Sequence, residues 1–153
     1  MIIRTVLITK KSRSDIWSGI THAEMILPKP FLFRVGIPLP KKCEILTYSN
    51  GIGTVRKCTS DRGHVIQKIT KFAVNRELEF HMEFNTLDIP CDIQSMSDNF
   101  LISEVGRHSQ VIRTTNIKLL NDRLGLKSMG VWMGIKSVHR YVFNNIDAIV
   151  TSA

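Results

Sequence analysis

What the 153-residue chain does not contain narrows its function before its elements are read. Its three cysteines, Cys43, Cys58 and Cys91, are odd in number and show no CxxC spacing. That pattern argues against a disulfide framework and a zinc site, and predicts reduced, small, apolar cysteines. The longest apolar stretches, such as 131–135, fall far short of the roughly 18 residues that a membrane span needs. Arg4 and Lys10 interrupt the first apolar stretch, so no secretory signal is expected and the expected location is the cytoplasm. There is no nucleophile elbow, no phosphate-binding loop, no internal repeat and no low-complexity segment. No cluster at ligand spacing calls for a metal, and no other cofactor is implied.

Acidic charge is also scarce, and it is unevenly placed. The formal net charge is +8, yet residues 77–104 hold seven Asp or Glu and no Lys or Arg. A basic balance can favour nucleic acid or an anionic membrane surface. Here the basic residues come singly or in pairs, without aromatic interleaving, which argues against nucleic acid as a partner and leaves peripheral membrane contact as the remaining surface role. At 43% hydrophobic residues, the chain is expected to be one domain over 1–153 with a full apolar core.

The longest regular signal is at the end. In 127–150, Val131, Trp132, Ile135, Val138, Val142, Ile146, Ile149 and Val150 all project within about 60° of one line, which predicts a long amphipathic helix. His139 projects into the same apolar stripe. Before it, 1–9 read as a β-branched strand. Ser12 or Ser14 can cap a helix carrying Asp15 in its first turn, with Ile16 and Ile20 on one side, and Pro28 and Pro30 close this region of one or two short helices.

From Phe31 the signal is antiparallel β. Asn50–Gly51 between CEILTYS and IGTVRKCT predicts a hairpin that sets Cys43 opposite Cys58, Glu44 opposite Lys57 and Ile45 opposite Arg56. Cys43, Ile45, Thr47, Thr54, Arg56 and Cys58 then share the inner face. A turn at Asp61–Arg62 sets Val65 opposite Cys58 and Gln67 opposite Arg56. In RELEFHMEF the alternation turns Leu78, Phe80, Met82 and Phe84 inward. Residues 85–96 lose periodicity and predict a loop suited to a cavity rim. A final hairpin around Gly106–Arg107 places Phe100, Ile102, Val111, Arg113 and Thr115 on one face. On this reading the inward faces carry no Asp or Glu to serve as a general base.

The order of elements, together with GIGTVRKCTSDRG, VIQKITKF and HRYVFNNI, resembles the START/polyketide-cyclase-like superfamily, also called SRPBCC. The resemblance runs over nearly the whole chain. It implies an α+β helix-grip fold: a curved antiparallel sheet of about seven strands around the long C-terminal helix, enclosing a cavity for a hydrophobic or amphipathic small molecule. It also leaves two classes of function open, a carrier or sensor and a cyclase- or dehydratase-like enzyme. Similar sequences commonly have an acidic residue where this chain has Gln67. The expected ligand-binding residues are Arg56, Gln67, Phe80, Met82, Arg113, Thr115, Trp132 and His139, and His139 is the general acid/base if the protein is an enzyme. Without an acidic partner, Arg56 is expected to receive an anionic head, with the ligand's tail along Phe80, Met82 and Trp132.

Overall fold

In the computed structural model, residues 1–22, 24–46, 51–121 and 125–148 are described. Among them, seven strands form one antiparallel sheet: β1 (Ile2–Thr9), β2 (Pro40–Ile45), β3 (Val55–Ser60), β4 (Gly63–Ala73), β5 (Glu77–Asn85), β6 (Ile93–Val105) and β7 (His108–Leu119). Their order across the sheet is β1-β7-β6-β5-β4-β3-β2, so the first strand lies beside the last. One short helix, α1 (Arg13–Thr21), follows β1, and the long helix α2 (Leu126–Ala148) closes the described chain. This is the expected α+β helix-grip arrangement.

Local chemistry accounts for the boundaries. Ser12 caps α1, its hydroxyl accepting from the Asp15 backbone N–H at 3.1 Å, while Ile16 and Ile20, four residues apart, bury the face of α1 that meets the sheet. The connector between Pro28 and Pro40 forms a short 3-10 turn over Phe31–Val35. Asn145 ties the preceding residues to α2, its side-chain oxygen accepting from the N–H groups of Ile26 and Leu27 at 2.8 and 2.9 Å. Tyr141 adds a hydroxyl bond to the Leu27 carbonyl and a ring contact with Phe33. The connector is therefore fixed against the helix it faces.

The hairpin registers follow the turn arithmetic. Cys43 pairs with Cys58, Glu44 with Lys57 and Ile45 with Arg56; across the next turn Arg56 pairs with Gln67 and Cys58 with Val65. Glu44 nevertheless makes its ion pair with Lys42 on its own strand, at 2.7 Å. Asn50, Thr47, Ile149 and Val150, which carried parts of the expected hairpin and helix stripe, lie outside the described residues. The Gly106–Arg107 hairpin pairs Phe100 with Arg113 and Ile102 with Val111 as expected. β6 starts at Ile93, so its first four residues, 93–96, fall in the stretch expected to be loop.

Two side-chain placements differ from simple alternation. Phe84 is 57% exposed, not inward. Gln67 pairs with Met82 but Ile66 pairs with Phe84, so Glu83 is an extra residue, a β-bulge that moves Phe84 to the outer face. The cysteines differ as well: Cys43 and Cys58 form a disulfide, where spacing alone predicted reduced thiols. The pairing is cross-strand, between residues placed opposite each other with Cα atoms 4.1 Å apart, and short-range cysteine spacing carries no information about such a pair.

Candidate functional site

Between the sheet and α2 lies a cavity of about 700 Å³, in the size range of small-molecule sites. Most of its wall is hydrocarbon. The sheet contributes Val65, Met96 and Ile117, and α2 contributes Val131, Ile135 and Val138. The exposed lining residues Val35, Pro90, Leu126 and Lys127 mark its mouth. Part of that rim is the loop after β5, as the sequence suggested, held by the N–H groups of Thr86 and Asp88 donating to the His64 and Arg62 carbonyls. The close approach explains Gly63: a Cβ there would lie 2.3 Å from the Thr86 carbonyl oxygen.

Among the polar side chains on this wall, five stand together: Arg56, Gln67, Asp98, Arg113 and Thr115. Four were expected. Asp98 was not: contrary to expectation, the inward faces do carry a carboxylate. It shares the parity of Phe100 and Ile102 on β6, pairs with Thr115 across β7, and is 3% exposed. Arg113 grips it through Nε, 3.1 Å from both oxygens, and through Nη2, 2.5 Å from Oδ2. Burial alone would raise the Asp98 pKa, but the Arg113 charge and its hydrogen bonds prevail and hold the carboxyl below its ordinary value. The remaining nitrogen of Arg113, Nη1, is buried without a hydrogen-bond partner among the described residues.

Arg56 is 6% exposed and is met by neutral groups. Its Nε donates to Gln67 Oε1 at 2.9 Å and its Nη1 to the Ile20 carbonyl at 3.0 Å, while its guanidinium carbon lies 3.4 Å from the centre of the Phe80 ring. Burial pushes its pKa down to about 9; Asp98 opposes that shift and Arg113 adds to it. It remains a cation at neutral pH.

His139 is fully buried behind Thr115 and does not line the cavity. Thr115 donates its hydroxyl to Asp98 Oδ1 at 2.7 Å, and so accepts from His139 Nε2–H, also at 2.7 Å. The Thr5 hydroxyl donates to Nδ1 at 3.0 Å. Both ring nitrogens are thus satisfied in one tautomer. Burial, reinforced by the Arg113 charge, pushes the His139 pKa down to about 3. This is a core histidine orienting a threonine, a poor fit to the general acid/base that an enzyme would need at neutral pH.

Of the other expected site residues, Phe80 is buried beneath Arg56, Met82 is half-buried away from the cavity wall, and Trp132 is 44% exposed outside it. The cavity wall therefore unites Arg56, Gln67, Arg113 and Thr115 but not Met82, Trp132 or His139. The Cys43–Cys58 disulfide also faces the cavity.

No family model matches the chain, and no curated protein matches it. Solved structures do. A START superfamily protein from Mycobacterium smegmatis superposes with TM-score 0.67 at 12% identity, over 95% of this chain and 94% of that one. Ara h 8.0201 gives 0.66 at 14% identity, over 96% and 94%. TTHA0849 from Thermus thermophilus gives 0.67 at 9% identity over the full length of both. Similarity of backbone at this level of identity defines architecture, and among the described residues no helix is long and apolar enough to cross a membrane. The chain has the START-like, SRPBCC-type helix-grip fold.

Proposed function

We propose that the protein, acting as a single domain over 1–153, is a carrier or sensor that binds a hydrophobic or amphipathic small molecule between its sheet and α2. The observation that carries this reading is the cavity of about 700 Å³, walled by aliphatic side chains with a few polar groups converging on one region. Its mouth lies at the N-terminal half of α2, where Leu126 and Lys127 face the Val35 side of the fixed connector. A non-catalytic role accounts for His139 and the Asp98 carboxylate without asking either to transfer a proton.

The test uses an uncharged apolar dye, N-phenyl-1-naphthylamine, and the variant Gly134→Leu. Gly134 lines the cavity from α2, and a Cβ placed there meets only the Ile37 side chain, at 3.8 Å. Leucine at this position fills ligand space while raising helix propensity by about 1 kcal/mol. The parent should bind the dye saturably, and the variant should lose most of that binding with an undiminished melting temperature. Absence of saturable binding to the parent, or equal binding to both proteins, would end the proposal.

A further inference from the structure

The polar groups in the cavity do not balance, and the imbalance specifies a ligand. Both oxygens of Asp98 are committed to Arg113 and Thr115, so this carboxylate neutralises one guanidinium. Among the described residues Arg56 bonds the Gln67 amide and the Ile20 carbonyl, and no carboxylate lies within ion-pair distance of it. One buried positive charge is left over. An orphaned donor accompanies it, because among the described residues Arg113 Nη1 has no acceptor while Nε and Nη2 both bond Asp98. The two guanidinium groups are neighbours: Arg56 lies on Phe80 and Arg113 on Phe100, and these rings contact edge to face with centroids 6.4 Å apart. All these groups except Phe80 line the same cavity.

We propose that the cavity is built for an amphipathic carboxylic acid, bound as the monoanion, whose head accepts from Arg113 Nη1 and faces Arg56 while its apolar body lies along Val65, Ile117, Ile135 and Val138. The proposal rests on the cavity-binding reading above and adds the head group, its charge and its contacts. A single negative charge matches the surplus, whereas a phosphate monoester brings nearly two. A neutral alcohol or ester satisfies Nη1 but leaves Arg56 uncompensated in a desolvated site. The body also runs along a wall that excludes Trp132 and Met82, in contrast to the path expected from the sequence.

Binding of cis-parinaric acid, of its methyl ester and of decyl phosphate should be measured by fluorescence titration on the parent, Gln67→Glu and Arg113→Lys. Gln67→Glu is nearly isosteric and sets a carboxylate 2.9 Å from Arg56 Nε, cancelling the surplus without removing a guanidinium. Arg113→Lys keeps a cation for Asp98 but removes the free arm of the fork. The parent should bind the acid at least about tenfold tighter than the ester and the phosphate. Gln67→Glu should lose that preference, with ester affinity within about twofold of the parent, and Arg113→Lys should weaken the acid severalfold. Equal affinity of the parent for acid and ester, a tighter phosphate, or an undiminished acid preference in Gln67→Glu would overturn the carboxylate assignment while leaving cavity binding intact. Failure of the acid, the ester and the uncharged dye together would remove both proposals.

Discussion

His139 shows how much one residue's surroundings alter what its type suggests. On the helix projection it is a lone polar group in an apolar stripe, open to reading as a catalyst. In the fold it is an imidazole held neutral between Thr5 and Thr115. The consequence is thermodynamic. An unfolded chain protonates this histidine below about pH 6.5, while the folded protein resists until about pH 3. Between those values the unfolded state binds the extra proton, so acid favours unfolding. Stability should fall as pH drops from 6.5, by about 1.4 kcal/mol per unit from this one site. Asp98, with its folded pKa depressed, adds a further loss as the pH falls below the unfolded carboxylate range. Urea midpoints of the parent and His139→Gln between pH 7 and 4.5 check the first effect: the parent should be steeper, and parallel curves would refute it. Asp98 itself was legible in principle. Its parity with Phe100 and Ile102 places it on the inward face that also carries Arg113, so the ion pair follows from the same alternation that gives those two residues.

At the scale of elements, period and turn arithmetic located the strands and the hairpin registers and narrowed the cap of α1 to Ser12 or Ser14, because each depends on neighbours close in sequence. The Glu83 bulge was not legible, since it depends on what the partner strand does, and the disulfide was missed although the register set Cys43 opposite Cys58. The Glu83 bulge makes two phenylalanines of one strand unequal. Phe80→Ala should cost about 3 to 5 kcal/mol as a buried deletion, whereas Phe84→Ala should stay within about 0.5 kcal/mol. Chemical denaturation of both variants checks the contrast, and similar losses would place Phe84 inward after all. The disulfide has a comparable test. It joins edge strand β2 to β3 across a separation of 15 residues, for which chain entropy gives about 3 kcal/mol. Reduction should add two hydrogens to the intact mass and lower the denaturation midpoint accordingly; an unchanged mass would show that the thiols were never paired. Trp132 illustrates the limit of a helical wheel. Projection assigns a side chain to a face, but not to the part of that face that reaches the sheet, and the N-terminal half of α2 extends to the cavity mouth.

For the whole molecule, the resemblance in the sequence and the observed fold agree on architecture because every level points the same way: strand period, turn residues and a single amphipathic helix at the end. The cavity's charge was only half legible: the two registers put Arg56, Gln67 and Arg113 on inward faces, but Asp98, on the same face as Phe100, was left out of the inward set. Sheet order has a further effect. β2 to β7 form a run of successive neighbours joined by local connections, but β1 pairs only with β7 in the sheet, and the Met1 amino group reaches the Ile117 carbonyl across 116 residues of sequence. Closing so long a loop places β1 docking late in folding. Ile3→Ala should therefore mainly accelerate unfolding, while Ile102→Ala, within the β6–β7 hairpin, should slow refolding. Stopped-flow chevrons decide it, and a slowed refolding arm for Ile3→Ala would reverse the order. On a ribosome the same geometry becomes a waiting time. Of this sheet, β1 is made before all the others and its partner β7 after them, so at about 5 to 20 residues per second Ile3 and Leu7 wait on the order of 5 to 22 s for Thr115 and Val111, an interval set by translation and open to chaperones.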